Sequence, residues 1–175
     1  MKDSTALKRI KCLCLAKKLD CNEIYHKAEV LLSIYRDVIW QTLEQVDDLY
    51  DNISEINSDY LSDDLDSAFT YLANFASSIE QDSFETKLIS LTKTKWVIDI
   101  VDKAMIRVYN YYGNGPLYHE ILSKTYLIKI PYSEDELLEM LDLERSNYYR
   151  KKKEAIFLFG ISLWGYEISE LKTLI

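Results

Sequence analysis

"SEDELLEMLDLERSNYYRKKKEAIFLFGISLWG", Ser133 to Gly165, decides the fold. Its opening reads as a helix started by a capping box, in which Ser133 and Glu136 satisfy each other's backbone N–H groups. Leu137, Leu138 and Leu141 give that helix an apolar face. A tight turn around Asp142–Glu144 comes next, and a second helix begins. There Tyr148, Lys152, Ala155, Phe159 and Leu163 share one face, while Arg145, Ser146, Tyr149, Arg150 and Lys153 lie on or near the other. Helix, short turn and helix, with an apolar seam inside and a basic face outside, is the layout of a helix-turn-helix. The second helix of such a unit enters the DNA major groove by its N-terminal half.

The residue types on the outward face suit that task. Arg and Lys neutralise phosphates and release counterions. Arg150 and Arg145 can grip a guanine edge with two hydrogen bonds, and Ser146 and Asn147 can reach base edges or phosphates. Tyr149 suits a sugar or a thymine methyl, and Lys151 and Lys153 suit phosphates. Tyr148 is expected to pack inward and set the angle between the helices, and Lys152 to bury its stem. The plainer reading is a solvated basic helix face, extended by an apolar tail that docks on a bundle. Six acids between Glu134 and Glu144 weaken the electrostatic footprint.

The basic run is unexpected in this chain, which carries 29 Asp and Glu against 21 Lys and Arg. Charge is unevenly placed. Residues 1–19 hold six bases and one acid, and residues 20–86 hold sixteen acids and two bases. Total charge is therefore a weak guide to any one face. At 175 residues and 48% apolar, the chain suits one medium domain, or a helical arm plus a small module. It has no apolar run of about 18 residues, so no membrane span is expected. The opening "MKDSTALKRIKCLCLAKKLD" lacks a sustained apolar core, so no secretory signal is expected and a cytoplasmic location is the expectation.

Upstream, residues 22–53 form a strong helical pattern. Leu32, Ile39, Val46 and Ile53 recur every seven residues, with Tyr35, Thr42 and Leu49 three positions after the first three. The stripe needs a partner, either within an intramolecular bundle or as a dimer seam. Residues 64–78 read as a short helix, and Asp82 or Ser83 as the cap of the next one. That second long helix, from Phe84 to about Tyr111, is long enough to lie antiparallel to the first. Its rows carry Leu88, Leu91, Lys95, Ile98, Asp102 and Met105, with Trp96, Val101 and Val108 beside them. "YYGNGP", Tyr111 to Pro116, ends it and opens a new helix, with Pro116 in the first turn. The expectation is an all-α protein, with an arm over residues 1–112 and a DNA-binding module over 113–175.

No catalytic constellation stands out, and the sequence predicts a protein that is not an enzyme and needs no cofactor. "GNGP" lacks the Lys-Ser or Lys-Thr of a phosphate loop. Asp63, Asp64 and Asp66 lack the Gly and late Glu of a calcium loop. Cys12, Cys14 and Cys21, with His26, match no common zinc spacing; reduced thiols are the expectation and no metal site is assigned.

"PLYHEILSKTYL" through "LWG" resembles the C-terminal half of phage late transcriptional regulators of the ArpU and RinA type, which in turn resemble the fourth conserved region of sigma factors. The matching residues are Tyr118–Leu122 with Tyr126, the "SEDELLEMLDL" helix, "RSNYYRKKKEAI" and Leu163–Gly165. "LLSIYRDVIW" and "SLTKTKWVIDIVDKAM" resemble the helical arm of such proteins. Glu144 stands where a small or hydroxyl residue usually precedes the recognition helix. The resemblance implies a phage or prophage regulator of packaging and lysis genes in a bacterial host, with double-stranded DNA as partner. A contrasting expectation is an interaction protein whose acidic arm binds a basic partner, such as a polymerase subunit. Homodimerisation through the arm fits either.

Overall fold

In a computed structural model, the chain is described over residues 3–47 and 96–169, without the side chains of Val38, residues 41–47, Trp96 and Val97. All regular structure among these residues is helical. The short helix over 64–78, the caps at Asp82 or Ser83, most of the acidic segment, and the stripe positions Leu49 and Ile53 lie outside the described residues.

Among the described residues six helices run in order. Helix α1 is Thr5–Ala16, α2 is Cys21–Asp47 and α3 is Trp96–Tyr109. Helix α4, Gly115–Leu122, widens into a π-helical turn over Ser123–Leu127; α5 is Glu134–Leu141; and α6, Arg145–Ser162, widens likewise over Leu163–Glu167. The caps explain the breaks. Ser4 accepts from the Leu7 N–H at the head of α1, and Asp20 accepts from the Asn22 and Glu23 N–H groups at the head of α2. The capping box at Ser133 and Glu136 forms as the sequence predicts. Asp142 ends α5 in the left-handed conformation (φ 50°), which a short polar side chain tolerates better than most. Between α3 and α4, Gly113 takes φ 89°, and Gly115 passes so close to Tyr109 that a Cβ would overlap its carbonyl oxygen.

The central element is α6. From Glu154 to Gly165 it is buried on every side, and it packs against α1, α2, α3 and α4. Among the described residues, α6 is the main neighbour of both α2 and α3. Residues 48–53 and 84–95, which the expected antiparallel pairing of the two long helices also involves, lie outside the described residues. The α2 stripe, with Leu32, Tyr35 and Ile39 buried, thus has a partner within the chain. Helix α3 buries the expected Val101, Met105 and Val108 together with Ile100 and Ala104, whereas Asp102, expected in the same rows, is exposed. Its buried row passes through the small Ala104, a position the larger apolar residues obscure in the sequence.

One continuous core joins Leu7, Ile10, Leu32, Met105, Leu122 and Phe159, drawn from both sides of the turn at 110–114. Ile121, Leu137 and Tyr148, with Leu117, Leu138, Leu141 and Leu143 around them, form a second small cluster beneath the α5–α6 hairpin. Where α2 crosses α6, Gly160 permits close approach. A Cβ there would sit 2.7 Å from Ile24 Cγ2 and 3.0 Å from the Ile24 carbonyl oxygen. Both atoms belong to a stiff, helical, β-branched residue. Gly160→Ala is therefore expected to lose about 1–3 kcal/mol to overpacking, despite the better helix propensity of alanine, measured by urea denaturation.

Candidate nucleic-acid interface

The N-terminal half of α6 projects from this core. Arg145, Ser146, Tyr149, Arg150 and Lys153 are exposed, and Asn147 is half-buried. Tyr148 is buried and shares a hydrogen bond with Thr125 (3.1 Å), fixing the hairpin on the π-helical end of α4. Lys152 lies half-buried, its ammonium 5.0 Å from the Tyr126 ring centre and 5.8 Å from that of Tyr148. Burial lowers its pKa, and the two aromatic faces favour the cation that burial disfavours. Both residues face inward, as their sequence positions predict. Glu144 makes no side-chain cap at the head of α6.

Contacts within the exposed set are specific. Arg150 Nη2 donates to Asn147 Oδ1 at 2.7 Å. Arg145 pairs with Glu134 (3.1 Å) and Asp135 (3.2 Å) from the first turn of α5. The Tyr149 hydroxyl donates to Glu134 at 2.6 Å, and that bond raises the tyrosine pKa. Glu134 thus holds two members of the set. The sequence shows the acids of α5, but their pairing depends on how α5 folds back against α6. Lys151, expected at a phosphate, is placed otherwise. Its ammonium reaches Glu154 at 3.2 Å, sits 5.6 Å from the Tyr118 ring centre, and its side chain is only 14% exposed. The adjacent buried carboxylate claims it.

That carboxylate is the principal residue missing from the sequence reading. Glu154 is wholly buried and accepts hydrogen bonds from Ser4, Tyr118 (2.6 Å) and Lys151. Burial acts to raise its pKa, but the three donors outweigh burial and hold it below the ordinary 4.5. A second missed device supports the hairpin from below. Arg36 and Trp40, one turn apart on α2, donate to the carbonyls of Thr125, Ile128 (2.7 Å) and Leu127 (2.9 Å). These are carbonyls that the end of α4 leaves without helical partners. The only sequence signal was an Arg and a Trp flanking the apolar stripe.

The cysteines show thiol chemistry of a bland kind. Cys14 is in the core, burial pushes its thiol up to about 12, and Cys12 is exposed. No group of His, Cys, Asp or Glu among the described residues could hold a metal ion, and none of their helices is long and apolar enough to cross a membrane. A cleft of about 300 Å³ lies at the opposite end of α6, between Trp164, Ile168 and the α1–α2 turn, where Lys27 is paired with Glu23 at 2.6 Å. No protein-family model, curated protein or solved structure matches the chain.

Proposed function

We propose that the protein is a sequence-specific DNA-binding regulator of transcription, with α5 and α6 as its helix-turn-helix. The observation that carries this reading is the division of α6. Its N-terminal half presents Arg145, Ser146, Tyr149, Arg150 and Lys153 to solvent, and its C-terminal half is fixed in the core. A reading helix needs both, because base-edge hydrogen bonds discriminate only when their donors are held in register. Arg145, Asn147 and Arg150 would address base edges; Ser146 and Lys153, phosphates; Tyr149, a sugar or thymine methyl. Lys151 would act from behind, by fixing α6 through Glu154. The protein would act by binding, in the cytoplasm of a bacterial host, without a cofactor. The resemblance to ArpU- and RinA-type regulators supports phage or prophage late genes as its targets.

The carboxylates of Glu134 and Asp135 oppose phosphate approach, yet they do not defeat it. Arg145 is 64% exposed, and pairs so exposed are worth about 0–1 kcal/mol, less than one good base contact. Exchange of Glu134 for a DNA acceptor therefore costs little, and it penalises loose contact with nonspecific DNA. Glu134→Gln is expected to raise affinity for random duplex a few-fold while narrowing the preference for the operator, measured by fluorescence anisotropy.

The acid-rich segment over residues 20–86 favours a second reading, in which the acidic arm binds a basic protein such as a polymerase subunit. Selection of bound genomic fragments by the purified protein at about 150 mM salt separates the two, because nonspecific binding is weak there. Enrichment of one short motif supports the regulator. No enrichment by a folded protein overturns it and favours the acidic interaction surface.

A further inference from the structure

Residues 1–19 are the most basic part of an acidic chain, and the helix-turn-helix does not use them. Lys8, Arg9 and Lys11 lie in or near the N-terminal half of α1, whose first turn contains no acid.

The fold brings them beside the reading helix. Ser4, the cap of α1, donates its hydroxyl to Glu154, the residue directly after Lys153 on α6. The neighbouring Asp3 pairs with Lys11 at 2.7 Å. The Lys11 hydrogen bond holds the Asp3 carboxyl below the ordinary 3.8, and Lys153 and Lys8 are near enough to reinforce it. The Asp3–Lys11 pair and the Ser4–Glu154 bond therefore set the head of α1 beside the Lys153–Glu154 turn of α6, although 150 positions separate Ser4 from Glu154. Lys8 and Arg9 are exposed. Neither pairs with a carboxylate among the described residues.

We propose that α1 extends the DNA-binding surface, with Lys8 and Arg9 taking the phosphate backbone that flanks the segment read by α6. This rests on the DNA-binding reading above. The occupant is duplex backbone because Lys8 and Arg9 form a basic, exposed strip on a helix that packs against α6 and is tied by Ser4 to Glu154, next to Lys153. The strip contributes affinity and orientation, and no sequence preference. It also offsets the acids of α5, which weaken attraction at the other end of the hairpin.

The test compares wild type with a Lys8→Ala/Arg9→Ala double variant on operator and random duplex across a salt series. Removing one phosphate-neutralising side chain makes the slope of log K against log salt shallower by about 0.9, so the variant should bind with a slope shallower by about 1.8. Its base preference and melting temperature should be unchanged. A wild-type slope and affinity in the double variant overturn the proposal while leaving the regulator intact. The same result with an altered oligomeric state assigns the strip to protein contact and likewise overturns it. A wild-type protein with no affinity for duplex even at low salt overturns both this proposal and the reading it rests on.

Discussion

Glu154→Ala is expected to lower the free energy of unfolding by about 3–5 kcal/mol, the range for removing one partner of a buried charged cluster. The carboxylate is wholly buried, and it links α1 through Ser4, α4 through Tyr118 and α6 through Lys151. Truncation leaves the Tyr118 hydroxyl and the Lys151 ammonium facing a void without the Glu154 acceptor, so desolvation costs add to the loss of the hydrogen bonds. Glu154→Gln keeps the volume and one acceptor oxygen, but turns an amide N–H₂ towards existing donors, and is expected to cost about 1–3 kcal/mol. The pH dependence has a definite sign. The folded pKa lies below the ordinary 4.5, so the stabilisation is complete above about pH 4.5 and is lost as pH falls through the folded value. Urea denaturation of wild type and Glu154→Gln across that range checks this: the gap between them should be widest near neutrality and close on acidification. A constant gap would show that shape, and not charge, holds the junction.

Short-range features of the fold were legible in the sequence because their causes are local. The capping box at Ser133, the turn at Asp142 and the break at Gly113–Pro116 each arise from residues a few positions apart. The inward positions of Tyr148 and Lys152 follow from helical period alone. The period could not supply the surroundings of α6. From Glu154 onward it is apolar or small nearly all round and buried all round, so it has no preferred face to reveal that α2 and α3 both pack on it. The α2 stripe showed the need for a partner without naming one. The pairs that tie the molecule together, Ser4 with Glu154 and Arg36 with Thr125 and Ile128, join residues 89 to 150 positions apart. At the candidate interface, the exposed basic residues were readable from spacing. Their neutralisation by Glu134 and Asp135, and the capture of Lys151, depend on tertiary placement that a charge count does not carry.

Arg150→Ala is expected to weaken operator binding by about 1–3 kcal/mol, or about fivefold to 150-fold, and to relax the preference at one base position. Two features single out this arginine. Its guanidinium is already oriented by Asn147 at 2.7 Å, so less rotamer freedom is lost when it meets a guanine edge. Among the described residues it also has no carboxylate partner to surrender, whereas Arg145 must leave Glu134 and Asp135. Arg145→Ala should therefore cost less than Arg150→Ala, and Asn147→Ala should fall between wild type and Arg150→Ala by releasing the orienting contact. Lys153→Ala should behave differently in kind, weakening all duplexes alike and making the salt slope shallower by about 0.9. Arg150 and Lys153 are exposed, so their variants should keep wild-type stability within about 0.5 kcal/mol, and the binding changes are then changes at the interface. Anisotropy titrations on operator and scrambled duplex distinguish these patterns. If Arg150→Ala and Lys153→Ala both bind as wild type does, α6 is not the reading helix, and its basic half is a solvated end of the central core helix.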